Sequence, residues 1–296
     1  MTTALDLVRA STLLSQPPDW SSYRWRLLAE GDSWFSMGSL NPFSSANLLQ
    51  SLAFSSAAVA AHCAYPGDTL RHMATLRADP SFVQMLVGNV SWRWDAVLLS
   101  AGGNDLIDAA GSPPTAPAEL RLLRPAAEWG TPHDGPTRYV SEPGWATFCR
   151  YYRENLRLII ELRDSKGGPD GSRGRPLCMH TYAYPTPRPS GGGPGLGPWL
   201  LPAMQAYAIP KPEWIGLARH LIDRLATLML ECAADAATFP ALHVFDTRHL
   251  PVIPAALEAT GASGDWANEI HLTHAGCDKV GRAWSQAIEA VMLANP

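Results

Sequence analysis

Short apolar runs alternate along this chain with longer segments in which apolar residues recur every three or four positions. The first pattern is typical of buried strands and the second of amphipathic helices. The runs predict strands at residues 23–29, 56–64, 95–101, 176–184 and 242–247. The periodic segments predict helices at residues 42–54, 69–77, 145–162, 212–234 and 273–293. Because strands that alternate with helices form parallel sheets, we expect an α/β fold with helices on both faces of the sheet.

Two long segments interrupt this alternation. Residues 109–143 are rich in proline, and residues 185–212 contain several prolines and the string GGGPGLG. That string matches neither GxGxxG nor a P-loop, so it does not predict a phosphate site. We expect one domain over residues 1–296, in which the two segments are loop insertions that form the rim of a site.

The composition indicates a large core and narrows the classes of partner. Of the 296 residues, 46% are hydrophobic and 17% are charged, and the net charge is -4. A nucleic-acid-binding protein normally carries a clustered basic face, so nucleic acid is not an expected partner. The sequence has no uncharged apolar run of about 18 residues, so no membrane-spanning helix is expected.

Five cysteines lie far apart in the sequence, and none belongs to a CxxC pair. A scattered, odd number of cysteines is poor material for a disulfide framework or a zinc site. Asp6 and Arg9 interrupt the apolar stretch near the N-terminus, which therefore does not resemble a secretory leader. These features predict a cytoplasmic protein with free thiols and no bound metal.

Polar residues of complementary chemistry follow the predicted strands. Ser33 comes after the first strand, with Asp32 beside it, and Gly67 follows the second. Asn104 follows the third strand, and His271 comes after a longer loop that follows the fifth. Ligands of open α/β sheets bind at the carboxyl ends of the strands, so these groups should meet at one rim. A hydroxyl, an imidazole and N–H donors for an oxyanion are the groups that acyl transfer needs.

The segments that carry these residues resemble four sequence blocks of the SGNH (GDSL-type) hydrolases. They are LLAEGDSWFS at 27–36, YPGDTL at 65–70, SAGGND at 100–105 and HLTHAG at 271–276, in the order found in that family. The resemblance spans residues 27–284, which is nearly the whole chain. It implies a flavodoxin-like, three-layer α/β/α sandwich with a parallel sheet of about five strands.

The resemblance also implies a role for each matching residue. Ser33 would be the nucleophile, and its own backbone N–H would be one oxyanion donor. Gly67 would supply a second backbone N–H, and Asn104 would supply a side-chain N–H. His271 would be the general base and then the acid that protonates the leaving group. No metal or organic cofactor is implied.

The chain departs from the family pattern at one position. The family usually has an aspartate three residues before the histidine, and here that position is Asn268. An asparagine oxygen can orient the imidazole but supplies no full counter-charge, so we expect a weaker base and slower turnover. Asp265 and Glu269 are the alternative orienting residues, and the order of preference is Asn268, then Asp265, then Glu269.

Side chains that flank the proposed nucleophile and base are candidates for substrate binding. Asp32 and Trp34 flank the serine, and Trp266 lies five positions before His271. All three are predicted to bind substrate, with the two tryptophans as pocket walls. His274 could pair with His271 as a metal ligand on one helical face, but no third ligand follows at suitable spacing, so we expect His274 at the surface or at the rim of the site.

The leading hypothesis is a serine esterase that hydrolyses the ester of a small or uncharged acyl group through an acyl-enzyme. Such a mechanism needs neutral His271, so activity should rise through its pKa, near or above the ordinary value of about 6.5. The alternative is a non-catalytic binding module on the same fold, which the missing aspartate and the two long insertions favour. An acetylated sugar, a lipid ester and a thioester all fit the pattern, and no oligomeric state is predicted.

Overall fold

The computed structural model of the chain describes residues 2–13, 15–36, 46–75, 77, 80–88, 91–169, 171–193 and 195–295. A six-stranded sheet is formed by β1 (Asp6–Arg9), β2 (Trp25–Gly31), β3 (Ala58–His62), β4 (Ala96–Ser100), β5 (Leu177–His180) and β6 (Leu242–Phe245). The strands lie in the order β1-β3-β2-β4-β5-β6, and every neighbouring pair is parallel. A separate antiparallel pair joins Thr3–Ala4 to Ala53–Phe54.

The strand order identifies the type of α/β fold. If β1 is left out and β2 is counted as the first strand, the order across the sheet is second, first, third, fourth and fifth. This is the flavodoxin-like arrangement. The strand order therefore reverses at β2 and β4, and ligands of such sheets bind at the carboxyl ends of the strands at this point. The predicted α/β/α class with a parallel sheet is confirmed.

The sheet has one strand more than the sequence pattern predicts. The additional strand, β1, has the sequence DLVR, and its first and last side chains, Asp6 and Arg9, are exposed. Charged residues are common on edge strands, where they discourage pairing with another chain. Because β1 is the edge strand next to β3, it lacks the apolar run that marks the buried strands.

The helices are α1 (Ala10–Leu13), α2 (Ser33–Ser36), α3 (Leu70–Met73), α4 (Pro80–Val87), α5 (Gly103–Ala110), α6 (Glu142–Ser165), α7 (Leu201–Ala206), α8 (Trp214–Ala234) and α9 (His274–Ala294). Short 3-10 helices occur at Trp20–Ser22, Leu49–Ser51, Ala118–Leu120, Ala126–Glu128, Pro132–Tyr139 and Lys211–Glu213. Within the described ranges, none of the helices has the length and apolar character that crossing a membrane requires.

The helix predicted at 42–54 is wrong wherever the structure describes that segment. Leu49–Ser51 form a single 3-10 turn, and Ala53–Phe54 form a short strand, whereas residues 42–45 lie outside the described residues. The leucines of this segment are completely buried all the same. Their spacing therefore reflects contact with the core, which a turn followed by an extended segment achieves as well as a helix.

Helices cover the buried strands and keep their ends in place. α6 contacts α4 and α5, and its Arg153 pairs with Glu231 of α8. α9 packs against β6 and places Trp284 against the rings of Phe35 and His180. All five residues of β4 are buried, as in a central strand of a covered sheet. The loops at the carboxyl ends of β2 and β4 therefore start from rigid positions.

The first of the two proline-rich segments is held by hydrogen bonds within itself. In residues 109–143, the buried Arg121 donates to the carbonyl groups of Ala116 and Leu123 and pairs with Glu128. Residues 185–212 include α7. That these segments are insertions relative to a shorter common fold stays a prediction.

Gly31, the last residue of β2, lies very close to β4. A Cβ built on Gly31 would fall 2.8 Å from both the Cβ and the carbonyl oxygen of Ser100. Gly31→Ala should therefore push the two strands apart and lower the free energy of unfolding by about 2 kcal/mol, measured by urea denaturation. Gly261→Ala is the control, because a Cβ there meets no atom within 4 Å. An equal loss in both variants would contradict this reading of the contact.

Candidate active site

The candidate nucleophile lies where β2 ends at the reversal of strand order. β2 ends at Gly31, and Ser33 is the first residue of the short helix α2. The Asp32 N–H donates to the Ser100 carbonyl of β4 at 2.9 Å, so the turn is fixed to the neighbouring strand. Ser33 is only 6% exposed and lines a small cavity at this edge of the sheet.

The Asp32 side chain stabilises this turn from inside the protein. One carboxylate oxygen accepts hydrogen bonds from the Trp34 N–H at 2.9 Å and the Ser100 hydroxyl at 2.8 Å. The other oxygen accepts from the Tyr182 hydroxyl at 2.5 Å. Burial raises the pKa of Asp32 to about 6, against the lowering effect of these hydrogen bonds. Both oxygens are engaged by protein donors, so Asp32 supports the turn, and its contact with substrate stays a prediction.

Ser33, His271 and Asn268 form a continuous hydrogen-bonded chain. The Ser33 hydroxyl donates to His271 Nε2 at 2.6 Å, and His271 Nδ1 donates to Asn268 Oδ1 at 2.9 Å. Asn268 Oδ1 also accepts the backbone N–H groups of Ile270 at 3.1 Å and His271 at 2.9 Å. Because backbone donors face this atom, it must be the amide oxygen, and Nδ1 must carry the ring proton. Nε2 is therefore in the form that accepts the proton of the serine.

The two carboxylates near the histidine in sequence point away from its ring. The Asp265 side chain accepts hydrogen bonds from the Lys279 ammonium and from a backbone N–H, both at 2.6 Å. The Glu269 side chain accepts from the backbone N–H groups of residues 199–201. Of the three orienting residues considered from the sequence, Asn268 is the one whose side chain contacts the imidazole.

Burial keeps the His271 imidazole neutral. The residue is 6% exposed, and the cost of removing a charged ring from water lowers the pKa of His271 to about 4. The expectation of a pKa near or above about 6.5 is therefore wrong, because it took no account of desolvation. Because of this lowered pKa, the ring is neutral and can accept a proton at any pH well above about 4.

One hydrogen bond joins Asn104, a candidate oxyanion residue, to the turn that carries the other candidate, Gly67. Asn104, on α5, lines the same cavity as Ser33. Its Nδ2 donates to the Asp68 carbonyl at 2.9 Å, which ties α5 to the turn that carries Gly67. Gly67 is exposed, has a φ of 87° and does not line the cavity. Asn104 thus lies beside the serine, and the Gly67 turn is attached to it.

The cavity beside Ser33 is small and apolar. It has room for about 40 Å³, which is roughly three times the space that one water molecule needs. Its apolar side chains include Leu106, Ile107, Leu200, Ile222 and Ile270. Trp34 and Trp266, the predicted pocket walls, both belong to its lining. Such a cavity accepts a short hydrocarbon group, whereas a charged group would lose its hydration there.

Trp34 connects the turn at residues 31–33, termed the serine turn, to the loop at residues 265–271, termed the histidine loop. Its indole N–H donates to the carbonyl of Ile270, the residue before His271, at 3.1 Å. The indole stacks on His180 with ring centroids 5.5 Å apart and meets Tyr182 edge-on at 5.1 Å. Because three neighbours fix its orientation, Trp34 holds the two loops at a set separation.

Two further residues contact the site although no sequence motif marks them. The Trp199 ring centroid lies 5.0 Å from that of His271. The Arg188 guanidinium is buried and donates to the backbone carbonyl of Asn268 at 2.8 Å. Both residues reach the site from the segment 185–212, and nothing in the local sequence shows where that segment packs.

His274 lies at the surface, as expected. Its side chain is 78% exposed and pairs with Asp278 on the next turn of α9. Among the residues that the structure describes, no group of three His, Cys, Asp or Glu side chains could hold a metal ion.

No protein-family model matches the sequence, and no curated protein matches it. Solved structures of ester hydrolases are similar in fold. The carbohydrate acetylesterase Est24 from Sinorhizobium meliloti is 12% identical, with a TM-score of 0.46 over 90% of this chain and 100% of that one. An extracellular lipase from Streptomyces rimosus is 14% identical, with a TM-score of 0.46 over 92% and 100%. An aryl esterase from M. smegmatis is 15% identical, with a TM-score of 0.43 over 90% and 99%.

Burial predicts an unusual titration of His271. In the folded protein its ring should titrate near pH 4, whereas the unfolded chain binds this proton near pH ~6.5. The unfolded state binds more protons between these values, so the His271 contribution to stability should be lost as the pH falls from about 6.5 towards about 4. NMR of the ring protons, assigned with His271→Gln, measures the midpoint. A midpoint at or above about 6.5 would contradict the burial argument.

Proposed function

We propose that the protein is a serine carboxylesterase in which Ser33 is the nucleophile and His271 is the general base. The observation that carries this proposal is the distance of 2.6 Å between the Ser33 hydroxyl and His271 Nε2, next to a small apolar cavity. A hydroxyl must lose its proton as it attacks a carbonyl carbon, and a neutral imidazole in hydrogen-bonding contact accepts that proton.

The reaction has two halves. Ser33 Oγ attacks the carbonyl carbon of the ester while His271 Nε2 takes the hydroxyl proton, which gives a tetrahedral intermediate. The bond to the alcohol oxygen then breaks, and the protonated imidazole gives its proton to the departing alcohol. A water molecule attacks the acyl-enzyme and passes a proton to His271. The carboxylic acid leaves as the serine oxygen regains its proton.

The negative charge that develops on the carbonyl oxygen needs N–H donors. We assign this role to the backbone N–H groups of Ser33 and Gly67 and to the side chain of Asn104. An amide side chain has two N–H groups, and the hydrogen bond from Asn104 to the Asp68 carbonyl uses one of them. That bond fixes the plane of the amide and leaves its second N–H for the substrate.

Asn268 orients the imidazole without adding a negative charge. His271 becomes positively charged during the reaction, in a site where its side chain is almost completely buried. A neutral amide oxygen offsets less of that charge than a carboxylate would. We therefore infer that this esterase turns over more slowly than the same site would with an aspartate at position 268.

Ser33→Ala should reduce hydrolysis of p-nitrophenyl acetate by at least about a thousandfold, because no other side chain takes over the attack. It should also abolish labelling by an organophosphate, measured as a mass increase of the intact protein. Ser165→Ala, which changes an exposed serine at the end of α6, is the control and should keep both properties.

Retained hydrolysis in Ser33→Ala would rule out this nucleophile. If the unaltered protein neither hydrolyses esters, thioesters and acetylated glycans nor reacts with the organophosphate, the non-catalytic binding module becomes the better description.

The size of the cavity predicts a preference for short acyl groups. Among p-nitrophenyl esters, the acetyl ester should have the highest kcat/KM, because the cavity has room for only about 40 Å³. Ile222→Ala enlarges the cavity from the side of α8 and should raise the butyryl-to-acetyl ratio of kcat/KM by about tenfold. Ile215→Ala, which alters an exposed isoleucine on the same helix, is the control. An unchanged ratio in Ile222→Ala would place the acyl group elsewhere.

A further inference from the structure

A buried carboxylate holds the segment that covers the base. Glu269 is completely buried and accepts hydrogen bonds from the backbone N–H groups of Arg188, Trp199, Leu200 and Leu201. The first N–H groups of a helix have no partner within that helix, and α7 begins at Leu201. Glu269 accepts the N–H groups at and just before the start of α7. It thereby attaches residues 188–193 and 195–201, here termed the covering segment, to the histidine loop.

This attachment brings Trp199 onto the imidazole. The ring centroids of Trp199 and His271 are 5.0 Å apart, and the ring planes meet at 85°, an edge-to-face contact. The glycine-rich string makes room for the indole, because a Cβ on Gly197 would fall 2.7 Å from it. A Cβ on Gly192 would lie 3.5 Å from the same ring. The string therefore accommodates a tryptophan side chain.

Arg188 joins the covering segment to the histidine loop a second time. Its guanidinium is completely buried and donates to the carbonyl groups of Ala259 and Asn268, both at 2.8 Å. It also lies close enough to Glu269 for the two opposite charges to attract each other. The position of Trp199 is thus fixed by interactions with the loop that carries the base.

We propose that Trp199 is a positioning residue for His271, whose ring it holds in line between the orienting asparagine and the serine. In the more usual triad, a carboxylate performs this task by charge. Here the orienting group is a neutral amide, and an edge-to-face contact with a rigid ring restricts rotation of the imidazole. Glu269 acts through Trp199, since it fixes the backbone from which the indole projects. This inference rests on the proposed function, because it concerns the base of that reaction.

Trp199 covers the His271 ring without adding a charge, and the charged groups around the ring belong to other residues. Among the residues that the structure describes, the titratable and charged groups on the elements around His271 are Asp265 and Glu269 on its own loop, Arg188 on the covering segment, Cys277 and Lys279 on α9, and Asp32 on the serine turn. Lys279 pairs with Asp265 at 2.6 Å. Removal of the indole therefore changes the access of water to the imidazole and leaves the charge pairs in place.

Trp199→Leu tests the proposal in the full chain. We expect kcat for p-nitrophenyl acetate to fall by about tenfold or more, because the base loses its alignment. KM should change by less than about twofold, because the acyl cavity keeps its walls. The pKa of His271, measured by NMR in a Ser33→Ala background, should rise towards its ordinary value as water reaches the ring. Trp199→Phe, which keeps an aromatic ring, should recover most of the lost kcat.

Trp214→Leu is the matched control, since Trp214 is also half-buried and begins α8 outside the site. If Trp199→Leu has the same kcat and the same His271 titration as this control, the proposal is overturned. Trp199→Met replaces the indole with a longer, more flexible apolar side chain and gives the same comparison if the leucine variant does not fold.

The Asn268→Asp variant distinguishes a positioning role of Trp199 from a merely structural one. On its own it should raise kcat by supplying the missing charge. In a double-mutant cycle, Trp199→Leu should then lower kcat less in the Asn268→Asp background than in the unaltered chain. An equal loss in both backgrounds would contradict a shared task. Failure of the proposed function is distinguishable, because it appears as retained activity in Ser33→Ala, whereas the NMR titration requires no turnover.

Discussion

The candidate site depends on one buried chain of hydrogen bonds, which runs from Asn268 through His271 to Ser33. The serine and the histidine are 238 positions apart in the sequence, and both are nearly removed from water. A buried polar group without a partner costs about 1–3 kcal/mol, so each member of the chain requires the next. This requirement fixes the two loops relative to each other and gives the hydroxyl its proton acceptor.

Buried carboxylates support this chain from both sides without touching the imidazole. Asp32 fixes the turn that presents the serine, and Glu269 fixes the segment that covers the base. Burial raises the pKa of each, and hydrogen bonds from protein donors oppose that rise. Negative charge thus organises the backbone around the site, while the contact with the base itself is left to a neutral amide and an aromatic ring.

The sequence predicts those site residues that follow directly on the end of a strand. Ser33 and Asn104 follow two apolar runs, and because those runs are neighbouring parallel strands, their ends share one edge of the sheet. The sequence could not show the partners that come from distant packing. Glu269 is two residues from the histidine, yet backbone amides about 70 positions away orient it. Trp199 and the lowered pKa of His271 likewise follow from burial beneath a loop whose path no local pattern reveals.

The most direct test of the central claim is to trap the covalent intermediate. The protein is quenched with acid during turnover of p-nitrophenyl acetate, digested and analysed by mass spectrometry. We predict one acetyl group per chain, on the peptide that contains Ser33 and at that hydroxyl. Acetylation at another residue, or release of p-nitrophenol without any acetylated serine, would contradict the assignment of Ser33 as the nucleophile.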